Sequence, residues 1–133
     1  MTMETIDLST RGRDSMTDIT PQVRQAIERS GVSSGTCLVY CPHTTAGITI
    51  NENADPAVPR DILTALDRAV PWEAGYRHGE GNAAAHVKSS LVGASCKLLV
   101  EDGRPVLGTW QSVFFCDFDG PRRRRYHVQV TSG

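Results

Sequence analysis

Two stretches of the chain repeat apolar residues every three or four positions between clear helix start and stop signals. The first is predicted to begin at Thr20, an N-cap residue followed by Pro21, and to end before Gly31. The second is predicted to begin at Asp55, as its cap, and to continue until Pro71 stops it. Both patterns predict amphipathic helices that bury one face.

A third, shorter helix is predicted over residues 83–91, with Asn82 as its cap and Gly93 after its end. The remaining apolar residues alternate with polar ones or form short β-rich runs, as strands do. We expect residues 47–51 to pair with 35–42, and the last strands to be joined as hairpins. The predicted strands are 4–9, 35–42, 47–51, 95–100, 106–118 and 124–131.

About six strands and three helices, with the helices not alternating with the strands, predict an α+β fold built on an antiparallel sheet. Its 133 residues, 39% of them hydrophobic, suit one compact domain spanning 1–133. A net charge of −1 argues against nucleic-acid binding, and no apolar run reaches the roughly 20 residues of a membrane span. The first ten residues lack the apolar segment of a signal peptide, and the four cysteines include no C-x-x-C pair. We therefore expect a reduced, cytoplasmic protein.

The polar and ionisable side chains best suited to catalysis or binding lie in segments that contain both histidine and glycine. His78, Glu80 and Asn82 alternate along a loop and so project to one side, and His86 follows Asn82 by one helical turn. His43 ends a predicted strand. Three neutral imidazoles with one open position form a catalytic zinc arrangement, so these histidines are the candidate metal ligands. Glu80, with His78, is the candidate for proton transfer, although Glu80 could instead orient a ligating histidine. Spacing alone does not show that His43 joins the others.

The residues around His43 add candidates for binding an anion. Thr44 and Thr45 offer hydroxyl groups suited to phosphate or carboxylate oxygens, although they also suit an ordinary turn. Asn51 belongs to a polar cluster larger than a turn requires. Asp55 is most simply a helix cap, and as such it directs the positive end of the helix dipole into nearby space.

Further candidates lie near the end of the chain. Trp110 and Gln111 interrupt an apolar run, where the indole either packs in the core or stacks on a flat ring of a ligand. The run from Arg122 to Arg125 alternates between the two faces of a strand, so at least one arginine is available for an anion or a neighbouring subunit. His127 lies in an alternating strand and is expected to be a strand-face residue.

Several of these segments, taken in order from about residue 35 to 130, resemble the YjbQ family, whose members are often labelled secondary thiamine-phosphate synthases. Each motif alone is weak, but their ordered combination is highly specific. The matching segments are His43-Thr-Thr-Ala-Gly-Ile48, Asn51-Glu52, Asp55-Pro56, His78-x-Glu80-Gly-Asn82, Ala85-His86, Ser89-Ser-Leu91, Asp102-Gly103, Leu107-Gly-Thr-Trp-Gln111 and Asp119-Gly-Pro-Arg122.

The resemblance implies a compact α+β homotrimer with a metal or anion site at His43, His78 and His86 near a subunit boundary, to which Arg122 would contribute. It also implies weak thiamine-phosphate synthase activity, which joins a pyrimidine diphosphate to a thiazole phosphate and releases pyrophosphate. One departure is visible, since Asp117 stands where relatives usually have glutamate, one methylene longer.

Two hypotheses of function follow. The first is an enzyme acting on a small phosphorylated metabolite with a divalent metal, zinc rather than magnesium because the ligands are imidazoles. The second is a trimeric binding or regulatory protein that holds a phosphorylated metabolite or a metal without turnover. Glu80 discriminates between them, because binding has less need of an ionisable base than turnover has.

Overall fold

A computed structural model describes residues 2–133, and over that range it contains eight strands and three helices. The strands are β1 (Thr2–Ser9), β2 (Ser15–Asp18), β3 (Gly35–Tyr40), β4 (Ala46–Glu52), β5 (Ser95–Glu101), β6 (Arg104–Pro105), β7 (Gln111–Asp117) and β8 (Arg123–Ser132). The helices are α1 (Thr20–Ser30), α2 (Ala57–Ala69) and α3 (Ala83–Val92).

The strands form two antiparallel sheets rather than one. The larger has the order β1-β8-β3-β5-β6 and the smaller the order β2-β7-β4. The predicted α+β class with antiparallel pairing is thus confirmed. Strand β2 was not predicted, because its four residues are too short to show a pattern of their own.

The predicted pairing of 47–51 with 35–42 is wrong. Both edges of β3 are occupied, by β5 and β8, and β4 pairs with β7 in the smaller sheet. The expected hairpin between the last long strands is also absent from residues 2–133, since β7 and β8 belong to different sheets. Six connections within residues 2–133 therefore pass from one sheet to the other. Two of them, the first crossing at 41–45 and the second crossing at 118–122, carry candidate site residues.

The main core is formed by α1 together with the apolar residues of both sheets. Val23 and Ile27 of α1 are fully buried, and they share one apolar cluster with Val39, Phe115 and Val128 from the strands. Burying such side chains contributes about 1.5–3 kcal/mol each. A second, smaller cluster joins α2 and α3 to the smaller sheet, and its buried members are Ala85, Phe114, Cys116 and Phe118. The candidate site residues of α3 are thereby seated on the smaller sheet.

The helix starts differ from expectation in two of three cases. Asp55 accepts a hydrogen bond from the Ala57 amide at 2.9 Å, so it caps the first turn as expected, although it lies one residue before the boundary residue Pro56. Thr20 is the first residue of α1 rather than its cap, and its amide donates to Asp18 Oδ1 at 2.9 Å. Asn82 makes no side-chain capping bond: its Nδ2 donates to Asp119, and its buried Oδ1 accepts no hydrogen bond within residues 2–133.

The cysteines are free thiols in protected positions, as expected from the apolar runs around them. Burial raises the pKa of Cys37 and of Cys116 to about 12 and that of Cys96 to about 11. These thiols therefore stay protonated and unreactive near neutral pH. None of the helices in the described range is long and apolar enough to cross a membrane. Cytoplasmic location stays a prediction.

Candidate functional site

A cavity of about 370 Å³ lies where the crossings at 41–45 and 118–122 meet the N-terminal end of α3. Eight of the twelve predicted site residues line it, together with three others. The full lining is Pro42, His43, Thr44, Thr45, His78, Glu80, Asn82, His86, Asp119, Arg122 and Arg124. A larger cavity of about 670 Å³, between α1 and the Asp102–Gly103 turn, contains none of the predicted residues.

A buried ion pair forms the back of the candidate site. Arg124 is 4% exposed and Asp117 is 0% exposed. The guanidinium donates from Nε to Asp117 Oδ2 at 3.0 Å and from Nη2 to Asp117 Oδ1 at 2.7 Å, a bidentate pairing. Nη2 also donates to the Thr45 hydroxyl at 2.7 Å. The carboxylate accepts two more bonds, from the Thr10 hydroxyl at 2.6 Å and the Asp119 amide at 2.9 Å.

These hydrogen bonds keep the carboxyl group of Asp117 negatively charged. Burial alone would raise the pKa of its carboxyl group, but the hydrogen bonds from Arg124, Thr10 and the Asp119 amide outweigh burial, so the pKa lies below its usual range. Asp117 therefore stays ionised and holds Arg124 in one orientation. Asp117 thus contacts Arg124 and does not itself line the cavity.

Arg124 lines the cavity and retains unused donors. Within residues 2–133 its Nη1 makes no hydrogen bond, although Nε and Nη2 are fully used. A buried guanidinium that lines a cavity and has spare N–H groups is suited to an oxyanion, because charge-assisted bonds of fixed geometry are the strong ones.

His43 is held in one tautomer. Its Nε2 accepts a hydrogen bond from the backbone amide of Arg125 at 3.0 Å, so the proton of the neutral ring resides on Nδ1. Burial lowers the pKa of His43, and the nearby charge of Arg124 lowers it further. The ring also meets Phe115 edge-on, with centroids 6.4 Å apart. His43 is therefore a neutral residue with one N–H left to donate.

The opposite side of the cavity is formed by the loop 72–82 and α3. His78 and Glu80 are exposed, whereas His86 is half-buried on α3. The imidazoles of His78 and His86 pack edge-to-face with centroids 5.2 Å apart. The predicted grouping of His78, Glu80 and His86 is thus realised, on a wall that is open to solvent.

A chain of polar contacts links the loop to the second sheet crossing. Asn82 donates from Nδ2 to Asp119 Oδ2 at 2.8 Å, and Arg122 donates from Nη2 to the same oxygen at 3.1 Å. Arg122 also donates from Nε to the Asp119 carbonyl at 2.8 Å. The orientation of the Asn82 amide follows from the carboxylate, which needs a donor. Asn82 thereby joins the end of the loop to Arg122.

Four predicted site residues lie outside the cavity of the single chain. The Asn51 side chain accepts the Glu52 amide at 2.7 Å, and Asp55 caps α2. Trp110 is 63% exposed, and Gln111 accepts the Gly108 amide at 2.8 Å. Asn51, Asp55 and Gln111 therefore each have a local structural role, and Trp110 is not a core residue.

The residues do not fit the predicted three-histidine metal centre. Within residues 2–133, no three histidine, cysteine, aspartate or glutamate side chains are arranged to hold one ion. The Nε2 lone pair of His43 is already engaged by the Arg125 amide, and its Nδ1 carries the proton. Two arginines in the same cavity, Arg122 and Arg124, also favour an anion over a cation.

Arg124, Asp117, Asp119 and Thr10 were missed as functional residues. A sequence signal for Arg124 existed, because it shares the inward parity of Tyr126, which is 1% exposed in the same strand. An arginine at an inward position of a strand needs a buried partner. Its partner, Asp117, lies in another sheet, and no local pattern indicates that contact.

Comparison with known proteins agrees with this fold. The family model described as "UPF0047 protein YjbQ-like" matches residues 4–133. The chain belongs to the YjbQ-like UPF0047 family. It is 54% identical over 129 residues to the UPF0047 protein YugU of Bacillus subtilis, covering 96% of this chain and 98% of that protein. A UPF0047 protein of Archaeoglobus fulgidus is 42% identical over 127 residues, covering 94% and 98%.

Solved structures of the family share the whole fold. An uncharacterised YjbQ/UPF0047 protein of Clostridium acetobutylicum has a TM-score of 0.95 at 51% identity, covering 96% of this chain and 99% of its own. A YjbQ-like protein of unknown function from Sulfolobus solfataricus also has a TM-score of 0.95, at 34% identity, with 99% and 97% covered. These similarities establish the fold of the chain but assign no activity to it. An activity has to be inferred from the geometry of the cavity.

Proposed function

We propose that the cavity binds a small phosphorylated metabolite and that the protein is an enzyme acting on it. The position and the contacts of Arg124 are the main support for this proposal. Its guanidinium is buried, oriented by Asp117 and Thr45, and keeps Nη1 for a ligand. Such a group binds phosphate oxygens without first losing side-chain freedom, because the protein has already ordered it.

The surrounding groups suit the same ligand. His43 offers one N–H from a neutral ring, and Thr44 offers a hydroxyl group on the same crossing. Arg122, half of whose side chain is exposed, adds a second positive charge at the mouth of the cavity. Hydrogen-bond donors therefore line one side, and the ionisable groups of His78, Glu80 and His86 line the other.

The family resemblance suggests a specific reaction, the transfer of a pyrimidine methylene group from a diphosphate to a thiazole phosphate. In that reaction the thiazole nitrogen forms the new bond to carbon while the bond from carbon to the pyrophosphate oxygen breaks. Arg124 and His43 would stabilise the charge that develops on the departing pyrophosphate. His78 and Glu80 are the groups placed to move a proton beside it.

Binding of inorganic phosphate and pyrophosphate, measured by titration calorimetry, tests the first step. We expect Arg124→Lys to weaken affinity about ten- to a hundredfold, because a point charge replaces a fixed guanidinium. Arg123→Lys is the matched control, since Arg123 is the exposed neighbour on β8 and lies outside the cavity. Equal affinity of both variants, or no binding by the unmodified protein, would refute the proposal.

Turnover is tested separately with Glu80→Gln. If Glu80 transfers a proton, phosphate affinity should stay nearly constant while product formation falls about a hundredfold or more. Mass spectrometry of reactions that contain the pyrimidine diphosphate and the thiazole phosphate measures the product. Unchanged turnover would remove the acid–base role of Glu80.

A binding or regulatory protein without turnover is the second candidate. It is favoured by the exposure of His78 and Glu80, because proton-transfer groups usually act in a site that excludes water. The same Glu80→Gln experiment separates the two candidates. A protein that binds phosphate esters tightly but yields no product with any phosphorylated partner would support this alternative.

We also propose that the chain assembles as the homotrimer implied by its family resemblance. Large apolar side chains remain exposed on the single chain, among them Leu91 and Leu99 at 64% and Met3 at 62%. Exposed apolar residues of this size are typical of surfaces that meet another protein. Light scattering after size exclusion should give three times the chain mass of 14.5 kDa, and a monomeric mass would contradict assembly.

A further inference from the structure

The loop 72–82 is anchored at its start by Trp72. This half-buried indole packs against the smaller apolar cluster, whose buried members include Phe114 and Phe118. The guanidinium carbon of Arg13 lies 4.4 Å from the centre of the indole ring, in the geometry of a cation–π contact. Arg13 comes from the connection between β1 and β2, so a distant part of the chain covers the base of the loop.

Arg13 is itself held by two carboxylates. It donates from Nε to Asp14 Oδ1 and from Nη2 to Asp67 Oδ1, both at 3.0 Å. Lys88 of α3 donates to the same two residues, at 2.7 Å to Asp14 Oδ2 and at 2.9 Å to Asp67 Oδ1. Lys88 is 0% exposed, so its charge requires both partners. The network orients Arg13 over Trp72.

The same connection also contacts the other wall of the cavity. The Gly120 amide donates to the Arg13 carbonyl at 2.9 Å, and the Thr10 amide donates to the Arg122 carbonyl at 3.0 Å. A Cβ atom on Gly120 would lie 2.3 Å from the Gly12 carbonyl oxygen, so the two segments are in close contact. Residues 10–14 therefore hold the loop 72–82 and the crossing 118–122 in a fixed relation.

We propose that Arg13 is a positioning residue, which places His78 and Glu80 over the cavity by fixing Trp72 at the base of their loop. Arg13 does not line the cavity, so it acts through the loop rather than on the ligand. The ligand-dependent part of this inference rests on the proposed function, whereas its effect on the loop does not.

Hydrogen–deuterium exchange of the protein without ligand tests the effect on the loop. We expect Arg13→Gln to speed exchange of amides in 73–81 about three- to tenfold, the size expected from losing a contact of 0.7–1.4 kcal/mol. Arg68→Gln is the matched control, because Arg68 is an exposed arginine lining the same groove as Arg13. Equal exchange in both variants, or an increase spread over the whole domain, would overturn the inference.

Inorganic phosphate binding then tests whether the loop effect reaches the cavity. Arg13→Gln should weaken affinity about three- to tenfold, and Arg13→Lys should restore part of it by keeping the cation over the ring. In the double variant with His78→Gln, the two losses should not add, because both remove the same contribution of the loop. Additive losses would show that Arg13 acts by another route.

The two measurements separate failure of this inference from failure of the proposed function. If the unmodified protein binds no phosphate, the proposed function fails, while the exchange experiment still decides the role of Arg13. If phosphate binds and Arg13→Gln changes neither exchange nor affinity, the positioning role fails alone.

Discussion

The two walls of the cavity are built by opposite means. On one wall, Arg124 is almost wholly buried, and its Nε and Nη2 are fixed by Asp117 and Thr45 while Nη1 stays unpaired. On the other wall, His78 and Glu80 are exposed and stand on a glycine-containing loop that is held at its two ends. The buried wall is fixed by the contacts of the functional side chain itself, whereas the exposed wall is fixed through the ends of its loop.

This difference assigns different tasks to the two walls under the proposed function. A preorganised guanidinium binds an oxyanion with little entropic cost, so recognition is assigned to the buried wall. Groups on an accessible loop can reach a ligand after it has bound, so proton transfer is assigned to the exposed wall. Changes on the buried wall should therefore affect both stability and binding, while changes on the loop should affect function alone.

The largest expected effect is that of Asp117→Asn. This change leaves the buried charge of Arg124 without its partner, which should lower the free energy of unfolding by about 3 kcal/mol. Urea denaturation followed by circular dichroism measures it. Asp61→Asn, at an exposed position of α2, is the control and should change stability by less than about 0.5 kcal/mol. Similar losses in both variants would contradict the contrast between the walls.

A smaller effect is expected in the pH dependence of stability. The pKa of Asp117 is lower in the folded state than in the unfolded state. Its stabilising contribution is therefore complete above the unfolded pKa and is lost as pH falls through the folded pKa. Each unit of that depression corresponds to about 1.4 kcal/mol.

Denaturation curves of the unmodified protein and of Asp117→Asn, recorded from neutral to acidic pH, measure this loss. The two stabilities should converge as the carboxylate of the unmodified protein becomes protonated. Parallel curves at all pH values would show that Asp117 makes no charge-dependent contribution.

The smallest expected effect is that of Trp110→Ala. Trp110 is 63% exposed and lies outside the cavity of the single chain, so stability should change by less than about 0.5 kcal/mol. Phosphate affinity measured by calorimetry should also stay within about twofold. A large loss of affinity would instead support the predicted stacking of Trp110 on a ligand. The indole would then reach the cavity from a neighbouring subunit.

Local features of the fold could be predicted because their causes are local. The spacing of apolar residues and the cap at Asp55 determine α2, and the glycine after α1 adopts the left-handed conformation expected of Gly31. His78 and His86 are brought together by the turn of a helix and a short loop. These contacts join residues close in the chain, where backbone geometry leaves few alternatives.

Contacts between distant segments were decided only by the tertiary structure. The sequence predicts the strands β3 and β4 but does not predict their partners. In the structure β5 and β8 occupy both edges of β3, and β4 pairs with β7 in the other sheet. This pairing of the strands brings His43 to the cavity and places Arg124 in contact with Asp117. Strand pairing depends on competition among all the edges available in the chain, and no window of sequence contains that competition. The sequence thus determined the ionisable groups and their local spacing, while the crossings between the sheets decided which of them share one cavity.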